Sequence, residues 1–237
     1  MEHLKIWKYL SIPWIVFSVI FFTGFIGLAF LQPASETFLT KSLLLKLFIN
    51  TISLTALVGF FTFIIAAPFA ILTSLYRFPG HQFFSWSLSL PLAFPAYIYA
   101  FIFVGGLEYS GPLSTWFREI GIIMPSVRNI LGAALVMSLA LYPYIFLLMK
   151  AQIKHLGIPI FRAAKTLGKS DITAIRTILL PALKPAIYAG MILAMLETLA
   201  DFGGVSTLRV ETFTVAIYNA WFGYQDYFSG AHLAGIL

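Results

Sequence analysis

The chain has 237 residues, 60% of them hydrophobic and 10% charged, with a mean hydropathy of +0.92. No soluble core of this size hides so much apolar surface, which excludes a soluble globular protein and points to a membrane. Zero cysteines exclude a disulfide framework and cysteine metal sites, and the net charge of +6 comes from basic residues beside apolar spans, a membrane-topology pattern and not a nucleic-acid patch.

Residues 9–35 carry no charge and follow Lys5 and Lys8, the pattern of a signal peptide, but the apolar run is too long for one. A first transmembrane helix is therefore predicted over residues 11–31, retained in the mature chain. After a polar stretch at 32–46, a second uncharged span covers 47–75 and ends at Arg77. Phe78-Pro79-Gly80-His81 fits a tight turn with proline second and glycine third. A third span over 83–104 contains Pro91 and Pro95, each of which removes a backbone donor and bends a helix.

The connection 105–128 holds Trp116, Phe117 and Arg118 and predicts a short interfacial helix, followed by a fourth span at 129–149 with Pro143 towards its far end. A fifth span runs over 182–202 until Gly203-Gly204 breaks it. A sixth starts near 228 and stops at Leu237, too short to cross, which predicts a chain shown in part. The fold expected is an all-α polytopic transmembrane bundle, a single permease-like domain over 1–237 with five complete spans and a truncated sixth. With the N-terminus inside, Lys5, Lys8, Arg77, Lys150, Lys154, Arg162, Lys165, Lys169, Arg176 and Lys184 lie on the inner side. Lys41, Lys46, Arg118, Arg128 and Arg209 lie outside, and this ten-to-five bias puts the N-terminus in the cytoplasm.

Between the fourth and fifth spans lies the longest charged stretch, Phe161 to Pro181 within an inner loop at 155–181. It predicts two short helices. The first sets Ile160, Phe161, Ala164 and Leu167 on one face and Arg162, Lys165, Thr166 and Lys169 on the other. Ala163, Ala164 and Gly168 leave the backbone open to a partner, Ser170 and Asp171 cap the second helix, and Pro181 turns the chain back into the apolar phase. The bland alternative is a basic loop that only fixes topology.

The spacing Ala163-Ala164, Gly168, Ile178-x-Leu180-Pro181 resembles the EAA loop of ABC-transporter permeases, E-A-A-x3-G-x9-I-x-L-P, with Arg162 where the glutamate stands. Phe78-Pro79-Gly80, the run from Pro91 to Tyr97, Leu141-Tyr142-Pro143-Tyr144 and Leu199-Ala200-Asp201-Phe202-Gly203 resemble the ferric-iron branch. The resemblance implies a type I importer permease of the bacterial inner membrane, for ferric iron or a related small solute. It implies docking of the loop, through Arg162, Ala163, Ala164, Gly168, Ile178, Leu180 and Pro181, into a cytoplasmic ATP-binding subunit. The other partners implied are a second permease half or copy and an extracytoplasmic substrate-binding protein, within membrane lipid. No cofactor is expected in this chain, ATP being bound by the partner, and no nucleic acid.

Gly168-Lys169-Ser170 ends like a phosphate-binding P-loop, yet that mechanism needs a strand and a glycine-rich turn where a helix is predicted here. Glu197 and Asp201 are the acidic residues embedded in a span, four apart and so on one helix face. They serve the pathway or its gate, or simply meet water near the outer end. As a relay they would instead suit a proton-driven secondary transporter. His3, His81, His155 and His232 have no metal-ligand spacing, and neither G-x-S-x-G nor H-E-x-x-H occurs, so a transport subunit is expected and not an enzyme.

Overall fold

The computed structural model describes residues 2–31 and 40–237, and the described residues form helices without a strand. In chain order these are α1 (Glu2–Leu31), α2 (Lys41–Leu75), α3 (His81–Ser87), α4 (Ala96–Leu107), α5 (Pro112–Glu119) and α6 (Ile130–Gln152). They continue with α7 (Ile158–Thr166), α8 (Asp171–Ala174), α9 (Leu180–Ala200), α10 (Gly203–Thr207), α11 (Phe213–Tyr218) and α12 (Tyr227–Ile236). One-residue-wider π turns, Ile153–Gly157 and Ile175–Leu179, splice α6 to α7 and α8 to α9. Three continuous helices are long and apolar enough to cross a membrane: Lys41–Leu75, Ile130–Thr166 and Asp171–Ala200. The polar stretch predicted at 32–46 falls partly outside the described residues, and its last six lie in α2.

Where one bent third span was expected, the chain breaks. Helices His81–Ala93 and Ala96–Glu119 meet at 92°. The cause is local: proline crowds the residue before it out of the helical region, and Phe94, which precedes Pro95, is extended at φ −115°, ψ 131°. The predicted turn before it is present, with Gly80 at φ 81°, ψ 2° and the His81 N–H donating to the Phe78 carbonyl at 3.0 Å.

The chain forms two compact units. Residues 49–211 build the larger, whose core joins Ala66, Ala67 and Ala70 of α2 to Tyr142, Ile145, Phe146 and Met149 of α6 and to Leu183 and Ile187 of α9. Helix contact inside a membrane depends on small residues that let backbones approach. Gly190 of α9 is such a point, because a Cβ there would lie 2.6 Å from the Ile145 Cα. Three buried hydroxyls are satisfied within their own helices: Thr62 donates to the Val58 carbonyl at 2.7 Å, Ser138 to Ala134 at 2.6 Å and Thr198 to Ala194 at 2.8 Å. The smaller unit takes residues up to 48 and from 212 onward, with Leu47, Phe213, Ala220 and Leu233 as its core. Its last helix, α12, starts one residue before the predicted sixth span and is capped by Asp226, which accepts the Ser229 N–H at 3.0 Å.

Candidate functional site: a charged helical elbow

The stretch singled out by its charge folds as a hairpin. Helix α7 ends in a closed turn: Gly168 takes φ 77°, its N–H donates to the Lys165 carbonyl at 3.0 Å, and the Lys169 N–H donates to Ala164 at 3.1 Å. This pair of bonds is the Schellman arrangement, which requires a left-handed residue and favours glycine. It also commits both amides to helix carbonyls, so Gly168-Lys169-Ser170 offers no phosphate cradle. Ser170 then caps α8 as predicted, accepting the Thr173 N–H at 3.3 Å.

Ala164 of α7 and Ala174 of α8 are buried, which fits the apolar face predicted for the first of them. Leu167, assigned to the same face, is instead 79% exposed, because it sits at the C-cap, beyond the last residue of α7. Arg162, Ala163 and Gly168 are exposed, Ile178 and Leu180 half-buried, and Pro181 exposed. Nor does Pro181 end a helix. It lies in the first turn of α9, just past the π turn, where a wider ring of backbone spares it the clash with the carbonyl four residues back. Pro159 repeats the arrangement after the first π turn. The two π turns meet: Ile153 and Leu179 are fully buried together, and a Cβ on Gly157 would lie 2.8 Å from Leu179 Cδ1.

Polar ties hold the elbow to the spans. The Tyr76 hydroxyl, at the exit of α2, donates to Asp171 Oδ2 at 2.7 Å, and Lys165 Nζ pairs with Asp171 Oδ1 at 2.5 Å. Those two partners, Lys165 first, hold the Asp171 carboxyl below its ordinary value, and the same bond raises the Tyr76 phenol. Across the base of the hairpin Gln152 Nε2 donates to the Ala182 carbonyl at 2.9 Å, and Lys150 Nζ ties α6 to α3 by donating to Ser85 Oγ at 2.6 Å. Sequence reasoning missed the Tyr76–Asp171 tie because 95 residues separate its ends.

The two intramembrane carboxylates do not share a face. Helix α9 stops at Ala200, and Asp201 is extended at φ −73°, ψ 120°. Its Oδ1 accepts the Gly204 N–H at 2.6 Å and the Val205 N–H at 3.3 Å, capping the start of α10. Glu197 remains on the helix, exposed, with no hydrogen bond or ion pair among the described residues. It belongs to a bare stripe with Tyr188, Ile192, Leu193 and Leu196, opposite the face that α9 buries through Ala186, Gly190, Ala194 and Thr198. His81 binds the Thr73 carbonyl at 2.8 Å and His232 binds the Phe228 carbonyl at 2.9 Å. Among the described residues no group of three His, Cys, Asp or Glu is placed to hold a metal.

Comparison with known proteins bears on the same region. Residues 64–224, which include the whole elbow, match the family model for binding-protein-dependent transport system inner membrane components. A Fe(3+)-transport system permease protein of Haemophilus influenzae, FbpB 2, is 31% identical over 195 residues, 79% of this chain and 35% of that protein. The sulfate transport system permease protein CysT of Salmonella typhimurium is 28% identical over 55% of this chain and 46% of its own length. The molybdenum transport system permease protein ModB of Haemophilus influenzae is 24% identical over 71% and 77%. The chain thus spans less than half the length of the first two. A bacterial ABC transporter involved in the import of the acidic polysaccharide alginate shares the fold, with a TM-score of 0.70 at 16% identity over 97% of this chain and 92% of that one.

Proposed function

The chain belongs to the family of binding-protein-dependent transport system inner membrane components, and from that premise we propose that it is one membrane-spanning unit of an ATP-driven importer in the bacterial inner membrane. The observation that carries this is the elbow: a short helix, a left-handed glycine and a capped second helix, exposed at the tip and tied at the base. Leu167 and Ile172 are exposed apolar side chains around that tip. A helix presenting such anchors suits a groove in another protein, here the cytoplasmic ATP-binding subunit. Arg162, Ala163, Ala164, Gly168, Ile178, Leu180 and Pro181 form the coupling element. Because the buried contact of the π turns joins both limbs, a push on the tip moves α6 and α9 together and not a loop alone.

The bare stripe of α9 faces the second permease unit, and the exposed Glu197 lines or gates the passage between them. Asp201 supports that helix end by capping. This leaves the proton-driven alternative without its two-carboxylate relay. An extracytoplasmic binding protein delivers the solute, and the N-terminus lies in the cytoplasm. The solute is ferric iron, on the strength of the relative at 31% identity.

Reconstitution with a cognate ATP-binding subunit, binding protein and second permease unit tests all of this. Ferric iron uptake that needs ATP and all components is the expected result. Uptake without the ATPase would overturn the ATP-driven reading, and uptake of sulfate or molybdate without iron would overturn the substrate alone.

A further inference from the structure

A cavity of about 480 Å³ opens between the end of α2, α3, α6 and α7, and its walls are strongly one-sided in charge. Arg77, His81, Lys150, Lys154 and Arg162 line it, and among the described residues no acidic one does. Lys150 is spent on Ser85 and His81 on Thr73, but Arg77, Lys154 and Arg162 carry no hydrogen bond or ion pair among the described residues. Ser74 adds a hydroxyl whose Oγ is buried without a partner. Like charges are not gathered around a space at no cost, and a buried hydroxyl without a partner is itself unfavourable, so the site is built for an anion with acceptor oxygens.

Depth says which anion. Thr73, Ser74 and Leu75, the last turn of an uncharged span, form one wall of the cavity, and beside it the short α3 exposes Phe83, Phe84 and Trp86. Aromatic side chains at the end of an apolar span mark the headgroup level of a bilayer, and basic pockets between helices at that level hold lipid phosphates. We propose that the cavity binds the phosphate headgroup of an anionic phospholipid of the cytoplasmic leaflet, which would place a lipid against Arg162 and Phe161 at the root of the coupling elbow. The assignment to that leaflet rests on the orientation given above.

Native mass spectrometry of the full chain in detergent, offered phosphatidylglycerol or phosphatidylcholine, tests the site regardless of sidedness. Retention of phosphatidylglycerol over phosphatidylcholine is expected, weakened about 30-fold in an R77Q/K154Q variant, since each cation near a lipid surface contributes roughly fivefold. The R77K/K154R variant should bind like the parent. Equal retention of the two lipids, or an unchanged affinity in R77Q/K154Q, would overturn the proposal. Displacement of the lipid by millimolar inorganic phosphate would make a free anion the occupant and overturn the lipid assignment. The leaflet is checked separately by labelling a K169C variant from each side, so that an outward elbow would sink the orientation and leave the binding result standing.

Discussion

Gly168 has nothing within 4 Å of the Cβ it lacks, so a substitution there meets a conformational cost and no clash. Asparagine tolerates the left-handed region and valine does not, the penalty for an ordinary side chain being about 1–2 kcal/mol. Gly168→Asn should therefore keep ATPase stimulation in the assembled complex and Gly168→Val should lose most of it; equal activity of the two would show that the turn is not what matters. Asp171 sets a second expectation. Its carboxyl is held below 3.8 by Lys165 and Tyr76, so the tie is fully present above that ordinary value and is lost as acid protonates the folded form. The raised Tyr76 phenol acts in the opposite sense, present below pH 10 and lost as alkali ionises it. Protection of the α8 amides, measured as exchange relative to the intrinsic rate at each pH, should thus fall at both extremes, and in Asp171→Asn the acid limb should vanish. Ser170 and Gly168 were legible from the sequence because capping and left-handed turns are chosen by the residue itself. Tyr76 was not, since its partner is set by the approach of two distant segments.

The second, fourth and fifth spans were legible from their uncharged runs, each lying largely within a long apolar helix, and the fourth and fifth start or end close to where composition puts them. Two of the misjudged elements involve proline. Pro91 and Pro95 break a span that was expected only to bend, and Pro181 enters a helix it was expected to end. The difference lies in the preceding backbone: Phe94 is driven extended, whereas the π turn before Pro181 relieves the clash. That turn is paired in space with its counterpart after α6, a relation no single window of sequence carries. The α6–α9 contact gives an element-scale prediction. Gly190→Val must displace the Ile145 backbone, at about 1–3 kcal/mol for an overpacked contact, and should lower the detergent melting temperature. Gly105→Val, with open space around it, should not.

At the scale of the molecule, orientation is the property on which coupling depends, and the lack of native cysteine makes it directly measurable. Single cysteines at Lys169 and Arg118 should label from opposite sides of the membrane, Lys169 from within. Composition made the class of protein plain, whereas the solute is not written in any cluster of ligands. The stripe on α9 has a further effect on the life of the protein. On the pairing proposed above, a copy without its counterpart would leave the exposed Glu197 turned towards hydrocarbon, a penalty that pairing would relieve. Orphan subunits would on this account be short-lived, and Glu197→Leu should lengthen their half-life in a pulse-chase when the chain is expressed alone.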